Sequence, residues 1–138
     1  MINLIIGQKG TGKTKRLVEY ANEAAKKSTG NVVVIVKGNH LTYDISHDAR
    51  LVNIDSYSIQ GADAFGGFLC GICAGNYDVT DIFVDSTLRI VGQDIQTLAG
   101  FIEKMNKLSV LADTKITMLV SADASVLPEN VKAISTEI

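Results

Sequence analysis

Apolar residues along this chain gather in short continuous runs, separated by stretches in which they recur every three or four positions. Alternation of the two patterns predicts alternating strands and helices. Ile2–Ile6 is an apolar run broken by Gly7, a buried strand. From Gly12 to about Ser28, Leu17, Val18, Ala21, Ala24 and Ala25 mark one face of a helix. Lys26 and Lys27 fall in its last turn, and Gly30 is placed to cap it. Val32–Val36 is wholly β-branched and gives the strongest strand signal; Leu51–Ile54 gives a shorter one. Asp81–Asp85 and Ile116–Val120 read as further strands, and Val131–Ile134, after Pro128, is a candidate last one. Ile95, Leu98, Ile102, Met105 and Leu108 mark a long helix with Asp94 as its N-cap. This order predicts an α/β fold: a three-layer, doubly wound, mostly parallel sheet of about five strands with helices on both faces. No linker or repeat divides the chain, so residues 1–138 are expected to form a single domain.

Composition sharpens this picture. Hydrophobic residues make up 46% of the 138 positions and the mean hydropathy is +0.20, which suits strands covered on both faces. The net charge of −2 provides no global basic field, so nucleic acid and anionic membranes are not the expected partners. No run approaches the ~18–20 apolar residues of a membrane span. Met1 leads straight into the first strand with no basic leader, and two cysteines cannot build a secreted disulfide framework. A cytoplasmic protein is the expectation.

Residues 7–14 read Gly-Gln-Lys-Gly-Thr-Gly-Lys-Thr, between the first strand and the first helix. Gly7, Gly10 and Gly12 let the backbone wrap an anion, and with Gln8, Lys9 and Thr11 between them aim consecutive N–H groups inward. Unpaired N–H groups at the helix start favour the same anion. Lys13 is placed to reach β- and γ-phosphate oxygens, and the Thr14 hydroxyl to coordinate Mg²⁺. This segment resembles the Walker A loop of the P-loop NTPases, and Asp81-Ile82-Phe83-Val84-Asp85 is similar to their Walker B strand. The resemblance spans most of the chain in element order but only these two motifs in residues. It implies a nucleoside triphosphate held with Mg²⁺, with Asp85 in the metal's shell.

After the Asp81–Asp85 strand the chain reads Asp85-Ser86-Thr87-Leu88 where GTPases carry D-x-x-G, and nothing in it matches N-K-x-D, so ATP is the expected nucleotide. Two strands between the motifs make the order similar to RecA-like ATPases and to zinc-containing thymidine kinases. Those kinases carry an acid directly after the Walker B Asp, where this chain has Ser86, and their four-Cys lobe is absent. A nucleoside kinase is therefore the least favoured reading. Attack on the γ-phosphorus needs a group to orient or deprotonate the nucleophile. Asp81 lies at the far end of its strand; Asp123 and Ser121, past the strand Ile116–Val120, are the candidates. Arg89 is a candidate finger across a subunit interface, set against an ordinary surface arginine. The expectation is a slow or partner-stimulated ATPase, and the alternative is a nucleotide-sensing module with little turnover.

Gly67, Gly71 and Gly75 would share one helical face, where each interior glycine costs ~1 kcal/mol against alanine. Close approach of another backbone is the expected compensation, from this chain's own sheet or from a second subunit. Cys70 and Cys73 read as buried thiols rather than half of a zinc site, and His40 and His47 as surface loop residues.

Overall fold

The computed structural model describes residues 2–138, which form one six-stranded sheet with every strand parallel to its neighbours. Strands β1 (Ile2–Ile6), β2 (Asn31–Val36), β3 (Ala49–Asn53), β4 (Val79–Val84), β5 (Lys115–Val120) and β6 (Ser135–Glu137) lie in the order β3-β2-β4-β5-β1-β6. Between them run α1 (Lys13–Lys27), α2 (Ala62–Gly75), the short α3 (Thr87–Val91), α4 (Ile95–Ala112) and α5 (Glu129–Ile134).

Strand side chains alternate between two cores. Leu4, Ile35, Ile82 and Met118 pack with α2, α3, α4 and α5, whereas Ile5, Val34, Phe83 and Leu119 pack under α1. Both faces are covered, which is why these strands read as continuous apolar runs. Cover is uneven: four helices lie on one face, and α1 with Leu41 and Ile45 of the loop between β2 and β3 lies on the other. Asp94 caps α4 as its sequence implies, accepting from the Thr97 N–H at 3.0 Å. No helix among the described residues is long and apolar enough to cross a membrane.

Residues 131–134, expected as a strand, are helical. The Pro128 carbonyl accepts from the N–H groups of Val131 and Lys132, and Val131 is wholly buried. Val131 and Ile134, three apart, share one face of that single turn. The chain re-enters the sheet only at Ser135, which makes six strands rather than about five. Helix α1 ends at Lys27 with Ser28, not Gly30, at its C-cap. Gly30 serves a close approach instead: a Cβ there would lie 2.1 Å from the Asp78 carbonyl oxygen.

The glycine face of α2 also differs from expectation. A Cβ on Gly67, Gly71 or Gly75 would meet nothing within 4 Å, so among the described residues no other element packs its backbone against them. Helix α2 is held by its other side, where Phe65, Leu69 and Cys73 are buried and the Phe65 ring stacks on Phe101 at 5.5 Å. Burial pushes the Cys73 thiol pKa up, as suits an inert core cysteine.

Candidate functional site

The crossover leaving β1 covers one face of the sheet through α1, and the crossover leaving β5 covers the other through α5. Their divergence leaves a crevice beyond the carboxyl ends of the strands, the usual place for a ligand in an open α/β sheet. A cavity of about 690 Å³ occupies it. Every parallel strand that borders the crevice delivers something to its wall: the loop after β1, His40 after β2, Asp85 to Thr87 after β4, and Ser121 after β5. Four cations, Lys9, Lys13, Lys15 and Arg89, line it against one carboxylate, Asp85. A cavity so lined suits a polyanion, although the whole chain is acidic.

The loop is built around its own backbone. Gly10 and Gly12 hold φ values of 86° and 79°, a left-handed conformation that a side chain would strain. Gly12 caps α1 with no side-chain hydrogen bond, so the first-turn N–H groups are left for a ligand or solvent. Lys9, Gly10, Gly12, Lys13 and Thr14 line the cavity. Gly7, Gln8 and Thr11 are not in its wall and act within the loop. The Gln8 carbonyl accepts from Lys13 Nζ at 2.5 Å and from Thr11 Oγ1 at 2.7 Å. A Cβ on Gly7 would sit 2.7 Å from that same Thr11 oxygen. Lys13 is not the exposed charge a loop position suggests. It is the first residue of α1 and only 5% exposed, and burial pushes its ammonium pKa down.

Asp85 lies one residue beyond β4 and is itself buried. Its N–H donates to the Ile35 carbonyl at 2.9 Å, which ties the residue to β2. Oδ1 accepts from Thr14 Oγ1 at 3.4 Å, and Oδ2 takes Ser86 Oγ at 3.1 Å and His40 Nε2 at 2.9 Å. Ser86 adopts a left-handed φ of 60°, a conformation costing roughly 1–2 kcal/mol in a non-glycine residue. Thr87 is fully buried in the cavity wall, and among the described residues its hydroxyl has no hydrogen-bond partner.

Ser121 joins the cavity wall but Asp123 does not. The Asp123 carboxylate accepts from the Ser125 N–H at 2.9 Å, starting a 3₁₀ turn, and that bond holds its pKa below the usual range. Arg89 is exposed, as the surface reading expects, and it also lines the cavity of its own chain. His40 is the exposed loop residue its sequence suggests, and it is also bonded to Asp85. The available signal was its place four residues past the β2 strand, at the sheet edge that carries the other site residues.

Among the described residues no three His, Cys, Asp or Glu side chains gather to hold a metal. A cation here would take Thr14 and Asp85 from the protein and the rest of its shell from a ligand and water. That all-oxygen pair fits Mg²⁺, which keeps several waters and binds through few protein groups. No protein-family model and no curated protein matches this chain.

Proposed function

We propose that the chain is a Mg²⁺-dependent ATP-binding protein of the P-loop NTPase superfamily, with slow or partner-stimulated hydrolysis. One observation carries the reading. Thr14 Oγ1 and Asp85 Oδ1, 71 residues apart in sequence, lie 3.4 Å apart beside Lys13 in a cation-lined cavity. Strand β5 stands between β1 and β4, the strands that carry the two motifs, which favours the RecA-like variant of that fold.

On this reading the α1 N-terminus and the loop N–H groups bind the phosphates. Lys13 exchanges the Gln8 carbonyl for phosphate oxygens, and Arg89 adds charge from the cavity wall. Thr14 and Asp85 would hold the Mg²⁺, which when bound neutralises charge on the phosphate oxygens. Leu88 and Leu119 supply apolar wall.

A second reading, a nucleotide-sensing module, is favoured by the residue after Asp85. Ser86 is a poor base at neutral pH, and among the described residues Asp85 is the one carboxylate in the cavity wall. Without general-base assistance, typically worth ~10²–10⁴ in rate, intrinsic turnover falls far below the ~10 s⁻¹ median of enzymes.

A melting panel with ATP, GTP, ADP and nucleosides, each with and without Mg²⁺, tests the binding. Ligand at 100 times its dissociation constant adds ~2.7 kcal/mol. Mg·ATP should raise Tm by several degrees, and no shift with any nucleotide defeats the proposal. Phosphate release by the isolated chain then separates ATPase from sensor.

A further inference from the structure

We infer that His40 is the positioning residue of the Asp85 carboxylate: its imidazole holds Oδ2 so that Oδ1 stays turned to Thr14, ready for a divalent cation. The inference rests on the nucleotide-binding reading above and adds a residue to it.

The position of His40 is built from both sides. Ahead of it, the Gly38 N–H donates to Asn53 Oδ1 at 3.0 Å, and Asn53 Nδ2 donates to Asn39 Oδ1 at 3.1 Å. Behind it, Leu41 and Ile45 are sunk into the core under α1, and the Asn39 carbonyl accepts from Thr42 Oγ1 at 2.8 Å. The loop between β2 and β3 is thus pinned on either side of the histidine. Its imidazole is half-exposed on the cavity side, whereas the Asp85 side chain is 3% exposed.

A carboxylate so enclosed needs donors on its oxygens. It accepts only, so His40 Nε2 is the donor in their 2.9 Å contact. Ser86 Oγ, the other donor to Oδ2, comes from the adjacent residue and moves with it. His40 arrives from a different strand and fixes the carboxylate against the frame of the sheet. Carboxylates that bind metals are usually oriented by such outer partners, whose removal typically costs 10–100-fold in metal affinity.

The test uses the full chain, His40→Ala and His40→Gln, the last keeping an N–H donor of similar reach. Calorimetry measures ATP affinity with EDTA and with saturating Mg²⁺, and electron paramagnetic resonance measures Mn²⁺ binding to the nucleotide complex. His40→Ala should lose about 10–100-fold in Mn²⁺ affinity, keep its EDTA affinity for ATP, and be restored in large part by His40→Gln. Unchanged Mn²⁺ affinity in His40→Ala overturns the inference. So does equal loss with and without cation, which marks a collapsed site. Nitrogen coupling to Mn²⁺ in the parent protein also overturns it, because the imidazole would then be a direct ligand. A parent chain that binds no nucleotide under either condition defeats the underlying reading first and this inference with it.

Discussion

Lys13 Nζ donates to the Gln8 carbonyl at 2.5 Å, so a buried cation of the site is tied to the backbone of its own loop. A phosphate must break that bond to reach the ammonium, and the charge-assisted bonds that replace it have to exceed what is lost.

Lys13→Ala should therefore weaken ATP binding sharply. Hydrogen bonds to charged groups contribute about 1.5–3 kcal/mol, which is roughly one to two decades in affinity. The fold should survive, since Leu17 and Ala21 anchor α1. Calorimetric titration checks the affinity and circular dichroism the fold; unaltered affinity would remove Lys13 from the phosphate site.

Thr87→Val should stabilise the ligand-free protein. The Thr87 hydroxyl is buried with no partner among the described residues, and valine fills the same volume without that polar group. Relieving an unsatisfied buried group returns about 1 kcal/mol or more. Urea denaturation should show a higher midpoint at constant slope. A lower midpoint would mean that the hydroxyl is satisfied in solution.

Gly71→Ala should also stabilise. The added methyl meets open space on a helical backbone, so the change gains up to about 1 kcal/mol of helix propensity. Thermal melting and sedimentation together check it. A lower Tm with altered mass would reveal a second copy seated on the Gly67–Gly71–Gly75 face.

Acid should loosen α4 through its cap. The Thr97 hydroxyl and N–H bonds to Asp94 hold its carboxyl pKa below the usual range. A depressed native pKa means stability present above the unfolded value of about 3.9, lost as pH falls through the native one. Asp94→Asn should melt below the parent at pH 6, with the gap narrowing below pH ~4. A gap that does not change with pH would assign the cap to geometry alone.

The strands under β-branched runs and the Asp94 cap were legible because local chemistry alone decides them. Asp85 was legible as the end of an apolar run at the sheet's carboxyl edge. The carboxyl-terminal helical turn was not: Val131 and Ile134 fit either a strand end or one turn, and only packing against α4 chooses. Gly30 looked like a cap because caps and close contacts both select glycine, and the Asp78 carbonyl comes from a distant segment. His40 escaped for the same reason, since its partner lies 45 residues away and a lone histidine carries no local pattern.

Strand order also imposes a timetable. Both neighbours of β1, β5 and β6, come from residues 115–137, whereas β2, β3 and β4 pair among themselves. A ribosome extends the chain at about 5–20 residues per second, so β1 waits seconds for a place in the sheet. Its exposed apolar edge is the part a holding chaperone would meet, and the loop at its end has no rigid floor until synthesis passes β5. Made before the other five strands of this sheet, β1 is among the last of them to be fitted.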